Sequence, residues 1–220
     1  MTILEILTEY RPAFLKGLGV TIELSLITWV VGIGLGTLLG AIAHIWPRIG
    51  WIVRSIAFVI GGIPFLVFLY WVHYPLQIAL GVVASPFLSA ATILSTLNIF
   101  GVSQIVRSAL DDFPEQYLDA ARVCGLSQYQ TLRRVQLPLV ARQAIPPTLN
   151  LQVTMLQMTL FASLISVEEL FRVSQRINAS IHQPIEIYTA LGLFFLAICI
   201  PMNGLASWLR WRFTRDISER

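Results

Sequence analysis

Five long apolar runs punctuate the chain, at about 18–45, 51–74, 86–109, 148–167 and 184–211. A helix needs roughly 20 residues, at 1.5 Å each, to cross the hydrocarbon core of a bilayer, so each run predicts a transmembrane helix. The segments between them behave differently. Residues 75–84 are apolar but short, which predicts a loop or an interfacial turn. Residues 168–183 are amphipathic, with Arg172 and Arg176 on a polar face. Near the start, Ile3, Leu4, Ile6 and Leu7 fit a short helix lying in a membrane interface. Only 111–147 is polar over a long stretch, and it separates the third run from the fourth.

Within the spans, the breaks in the apolar pattern carry the information. Gly32, Gly36 and Gly40 recur every four residues in the first span, the small-xxx-small stripe that lets helices approach closely. Gly61, Gly62 and Pro64 interrupt the second. Ser85 followed by Pro86 reads as an N-cap with proline at the first helical position. The third span carries Asn98, Ser103, Gln104 and Arg107, and the fourth carries Asn150, Gln152, Thr154, Gln157 and Thr159. Pro146 and Pro147 precede that fourth span. Asn150, Thr154 and Gln157 fall at i, i+4 and i+7, so they share a face that should avoid lipid. Asn98, Gln104, Asn150, Thr154 and Gln157 are therefore candidates to line a passage. Joining helices to one another is the other use of such side chains, and spacing does not separate the two.

The polar stretch 114–138 predicts two short helices at an angle. Asp112, Pro114 and Glu115 read as a helix start, with a carboxylate cap, a preset φ and acid over the positive end. Tyr117, Ala120, Ala121 and Cys124 then make a narrow face of mostly small side chains. Gly125 suits the left-handed residue that ends such a helix. Ser127 and Gln130 fit a capping box for the second helix, Arg133 and Arg134 suit its last turn, and Pro138 should limit it. Such an element offers a docking surface; an ordinary connecting loop is the plainer reading.

Composition narrows the class. The 220 residues are 56% hydrophobic and 12% charged, with a mean hydropathy of +0.73. Soluble domains carry about 25% charge, so this is an all-α membrane protein in a single domain, 1–220. The N-terminal residues include acids and no basic leader, and no removable signal is expected. Arg48, Arg54, Arg107, Arg122, Arg133, Arg134, Arg142, Arg210, Arg212, Arg215 and Arg220 fall on one side of the five spans. Arg11, Lys16, Arg172 and Arg176 fall on the other. By the positive-inside rule the loop and the C-terminus are cytoplasmic and the N-terminus is periplasmic. The net charge of +3 thus records orientation and does not imply a nucleic-acid partner. Cys124 and Cys199 lie too far apart in kind of surroundings to suggest a disulfide. The three histidines are scattered, so neither a metal site nor a catalytic group is expected. No G-x-x-x-x-G-K-[ST] loop occurs, so no ATP site of that type is expected in this chain.

Asp119-Ala120-Ala121, three residues, Gly125, nine residues, then Val135-x-Leu137-Pro138 resembles the EAA loop of ABC importer permeases. Asp119 replaces the usual Glu and Val135 the usual Ile. Further matches are similar to the polar amino acid branch of the histidine/glutamine/arginine type. They include Gly17, Thr21, Leu24 and Ser25, the Gly62-Ile63-Pro64-Phe65-Leu66 element, Ile105 and Arg107, Pro146 with Asn150, and Glu169-Leu170. Three positions depart from that branch, with Gly61, Gln104 and Gln157 standing where it often places charge. The resemblance implies a type I ABC importer permease (MetI-like) architecture of about five transmembrane helices, in the bacterial inner membrane. It also implies a role for Asp119, Ala120, Ala121, Gly125, Leu137 and Pro138, within a coupling loop at 111–147, in docking an ABC ATPase dimer. ATP and magnesium would sit on that partner. A second permease chain, identical or homologous, and a periplasmic solute-binding protein complete the expected assembly, set in membrane lipid. The function implied is import of an amino acid or similar small polar solute by alternating access. The neutral positions 104 and 157 keep open a second reading, a membrane scaffold or sensory subunit that moves nothing.

Overall fold

A computed structural model describes the backbone of residues 2–218 and the side chains of residues 2–213. Arg215 and Arg220, counted above among the basic residues of one side, lie outside those described side chains. Among the described residues the fold is helical throughout. Helix α1 is Ile3–Glu9 and α2 is Arg11–Ile45. A bent pair follows, α3 at Pro47–Gly62 and α4 at Phe65–Leu80. Helix α5 is Pro86–Asp111 and α6 is Glu115–Val123. The continuous helix α7 spans Gln128–Ile165, then come α8 at Leu170–Ile181 and α9 at Pro184–Ser218. Among the described residues four helices are long and apolar enough to cross a membrane, and there are five spans if the bent α3–α4 pair crosses as one.

The bend of 97° between α3 and α4 follows from its residues. Gly61 and Gly62 are weak helix formers, and Pro64 forces Ile63 out of the helical region, to φ −89° and ψ 127°. Helix α4 runs on to Leu80, where a loop or turn from residue 75 was expected. Pro75 is accommodated because Val72–Leu76 widens into a π turn, giving the ring room against the preceding carbonyl. The same device corrects the reading of the polar stretch. Residues 132–136 form a π turn just before Pro138, so Pro138 does not end a short second helix. The segment from Gln128 instead forms the first turns of α7, and Pro146 and Pro147 lie inside that helix.

The glycine stripe packs against a helix of the same chain. A Cβ on Gly32 would stand 2.2 Å from Asn98 Nδ2, one on Gly36 2.7 Å from Val102 Cβ, and one on Gly40 2.6 Å from the Ser103 carbonyl. Helices α2 and α5 are therefore in backbone-to-backbone contact along the stripe. Gly34, off the stripe, has nothing within 4 Å. At one end of the bundle, Leu24, Leu69, Ile93, Leu94 and Ile165 form a core uniting α2, α4, α5 and the end of α7. At that same end, α8 docks on the start of α2. The Thr21 hydroxyl accepts from Leu170 N–H at 3.0 Å and donates to the Gly17 carbonyl at 3.0 Å. A Cβ at Gly17 would meet Val173 at 2.8 Å, which explains why glycine and threonine stand four residues apart here.

Candidate functional site

At the other end of the bundle, α6 hangs from α5 on a short link. Asp112 occupies the C-cap position of α5, and Pro114 stands at the N-cap of α6 with no side-chain hydrogen bond. The expected carboxylate cap is thus absent, because the turn at 112–114 leaves Asp112 with the preceding helix. The other end of α6 follows the sequence closely. Gly125 has φ +72°, Leu126 N–H donates to the Ala121 carbonyl at 3.0 Å, and Gly125 N–H donates to that of Arg122 at 2.9 Å. These are the paired bonds of a Schellman motif, which consumes orphan carbonyls and favours glycine at the left-handed residue. Ser127 and Gln130 then make the reciprocal capping box that starts α7.

Burial divides the motif residues. Ala121 is 4% exposed, whereas Asp119, Ala120, Cys124 and Gly125 are exposed. Asp119 pairs with Arg122 at 3.0 Å, both side chains in solvent, which orients the carboxylate at little energetic gain. Leu137 is 51% exposed and Pro138 is exposed as well. Behind them lies an apolar anchor: Phe113, Tyr117, Leu118, Val135 and Val140 pack together with Ala144. Val135 and Ala121 of the motif thus face inward, Val135 tying α6 to α7, while Asp119, Ala120, Gly125, Leu137 and Pro138 face out.

The intramembrane candidates separate in a comparable way. Asn98 is fully buried and does not face an opening. Its Nδ2 donates to Gln152 Oε1 at 2.8 Å and to the Thr28 carbonyl at 2.9 Å, and Gln152 Nε2 donates back to Asn98 Oδ1 at 3.1 Å. Trp29 Nε1–H donates to the Gln152 carbonyl at 3.1 Å. This knot joins α2, α5 and α7. Gln152 belongs to it although only Asn98 was singled out; their polarity was legible, but the pairing is a tertiary fact.

Thr154 and Gln157 are exposed on α7, and Asn150 is half-buried. Thr154 Oγ1 donates to the Asn150 carbonyl at 3.2 Å, and Gln157 Nε2 lies 3.7 Å from Cys199 Sγ on α9. Thr154 and Gln157 thus form a polar strip on the outside of the single chain, one that would be costly against lipid.

Gln104, also exposed, lines a cavity of about 660 Å³ between α3 and α5. That cavity runs from Arg54 and Asp111 to Gly61 and Gly62 at the bend. Its polar end is braced. Arg107 donates to the Gly50 carbonyl at 2.9 Å and to Asp111 Oδ2 at 3.2 Å, and His44 Nδ1 bonds Asp111 Oδ1 at 2.6 Å. Among the described residues, no group of three or more His, Cys, Asp or Glu side chains is arranged to hold a metal ion.

Residues 32–215 match the family described as binding-protein-dependent transport system inner membrane component. The L-cystine transport system permease protein TcyB of Bacillus subtilis (strain 168) is 30% identical over 215 residues, 96% of this chain and 91% of that one. The glutamine transport system permease protein GlnP of Escherichia coli (strain K12) is 28% identical, over 91% of this chain and 93% of its own. A crystal structure of an amino acid ABC transporter with histidines superposes with a TM-score of 0.83 at 22% identity, covering 96% of this chain and 99% of that one.

Proposed function

Since the chain belongs to the family of binding-protein-dependent transport system inner membrane components, a multi-pass permease of the inner membrane, we propose that it carries an amino acid or similar small polar solute inward by alternating access. Its relatives are named for L-cystine and for glutamine, both zwitterions. In the proposed assembly, two permease chains enclose the passage, two ATPase chains engage the loops from the cytoplasm, and a periplasmic binding protein delivers solute at the N-terminal side. ATP and magnesium belong to the ATPase chains.

The observation that carries this reading is the exposure of Asp119, Ala120 and Gly125 on an element that is itself firmly held. Helix α6 is locked by its Schellman motif and seated through Tyr117 and Leu118 on Val135 and Val140 of α7. A push on α6 therefore reaches α7 directly. At 1.5 Å per residue the 22 α-helical residues Leu137–Met158 within α7 make a lever of about 33 Å, long enough to bridge the loop and the Gln157 strip. Leu137 and Pro138 lie exposed at the loop end of that lever and extend the docking surface. Asn150, Thr154, Gln157 and Gln104 face the passage in this reading, and Asn98 holds the helices that move as a body.

The test is ATP-driven uptake in proteoliposomes containing the permease chains, the ATPase and the binding protein. Accumulation of radiolabelled L-glutamine or L-cystine against a gradient is expected. Solute-dependent ATP hydrolysis without accumulation would favour a sensory subunit instead.

A further inference from the structure

The cavity between α3 and α5 has a charge that the rest of the fold leaves unanswered. Arg54 lies seven residues into α3, about 10 Å from the helix start, and its side chain is exposed to the cavity. Among the described residues it has no acidic partner. The acid nearby, Asp111, is already held by His44 and by Arg107. Arg107 in turn is occupied by Asp111 and the Gly50 carbonyl. The cavity is left with one positive charge that has no acidic partner, about two turns into α3.

We infer that this cavity is a carboxylate-binding subsite anchored by Arg54, selecting solutes with a neutral or acidic side chain over cationic ones. The inference rests on the importer reading above. A guanidinium presents a fixed fork of donors that matches a carboxylate in two parallel hydrogen bonds. On the facing wall, Gln104 and Ser108 of α5 offer an amide and a hydroxyl with no side-chain partner among the described residues. These can accept from an α-ammonium group or bond a neutral polar side chain. Asp111, the one carboxylate among the described lining residues, is already shared by His44 and Arg107, so a lysine- or arginine-like solute would meet a net positive charge at Arg54 and Arg107.

Depth along α3 bears on whether the ligand is a solute or a lipid headgroup. Gly61 and Gly62 lie seven and eight residues beyond Arg54 on the same face, so the cavity reaches about 10 Å further along α3, to the break in the span. A lipid phosphate would be met at the Arg48 and Trp51 end of α3, about one turn before Arg54, so the lipid composition of the disc separates the two ligands. The volume, about 660 Å³, lies within the range of small-molecule sites.

The experiment is equilibrium binding to the permease–ATPase complex in nanodiscs, with the binding protein omitted so that selectivity belongs to the membrane chain. The probes are radiolabelled L-glutamine, L-cystine, L-glutamate and L-arginine, with L-glutaminamide, which lacks the carboxylate, as competitor. Binding of a neutral or acidic probe is expected, with at least a tenfold weakening in R54Q, partial recovery in R54K, and no competition by L-glutaminamide. Preference for L-arginine, unchanged affinity in R54Q, or absence of binding overturns the proposal. So does an R54Q effect that appears only with phosphatidylglycerol in the disc, since Arg54 would then serve a lipid phosphate. Uptake by the full assembly judges the importer reading separately: transport without this binding removes the subsite alone, whereas no transport removes the importer reading.

Discussion

The two polar regions of this protein treat their polar groups in opposite ways. Around Asn98 every amide is answered within the chain, by Gln152, the Thr28 carbonyl and, for the backbone, Trp29. Around Asp119 the backbone is tied at the end of α6 by the Schellman bonds and, just beyond, by the capping box that starts α7, yet the side chains face solvent. The first region holds three helices in one body. The second is a rigid element with its polar side chains in solvent. Buried polar groups with partners build a framework; exposed groups on a rigid frame stay available to other molecules.

The largest effects should come from breaking the second region. Ala121→Arg would force a long charged side chain into a position 4% exposed, and Gly125→Pro would remove an N–H that bonds Arg122 and demand a φ that proline cannot adopt. Either should reduce solute-stimulated ATP hydrolysis of the reconstituted complex by about a hundredfold or more, roughly 2.7 kcal/mol of coupling, while insertion is kept. Normal stimulation in both variants would remove α6 from the coupling path.

The framework should respond in stability. Asn98→Leu leaves the Gln152 amide buried and unanswered, at a cost of about 1–3 kcal/mol by thermal unfolding in detergent. Adding Gln152→Leu should cost less than the sum of the two single changes, and strict additivity would show that the pair is not coupled. Gly36→Ala should cost a similar amount, since its Cβ would press on Val102 and the Ile99 carbonyl.

A smaller effect concerns Glu169, which caps α8 between the fourth and fifth spans by accepting from Phe171 N–H and Arg172 N–H, both at 2.7 Å. Burial pushes its carboxyl up to about 7, against the downward pull of those two donors, and Glu168 adds to the rise. A carboxyl raised on folding favours the folded chain while protonated. That contribution is whole below the ordinary value of 4.5 and is lost as pH climbs through about 7. The thermal midpoint should therefore be higher at pH 6 than at pH 8, and Glu169→Gln should flatten the difference. The smallest effect belongs to Gly34→Ala, which meets nothing within 4 Å and should stay within about 0.5 kcal/mol. A larger loss there would mean that a second chain packs on that face.

How far the sequence reached depends on whether a feature is set by neighbours along the chain or across it. The five spans follow from apolar length, the bend from Gly61, Gly62 and Pro64, and the end of α6 from Gly125, because each is a matter of local backbone preference and solvent. Local rules also misled. Pro138 reads as a stop, yet a π turn one step earlier absorbs it, and α7 gains its length through packing of Val135 and Val140 on α6. The glycine stripe announced a close approach without naming the partner, which α5 turned out to be. Asn98 and Gln152 lie 54 residues apart, so nothing local could pair them or separate a framework amide from one facing a passage. Polarity, charge and helix punctuation are written residue by residue. Whether a polar group is answered or left open is decided only when distant helices meet, because that meeting determines which groups lose water and which keep a face for another molecule.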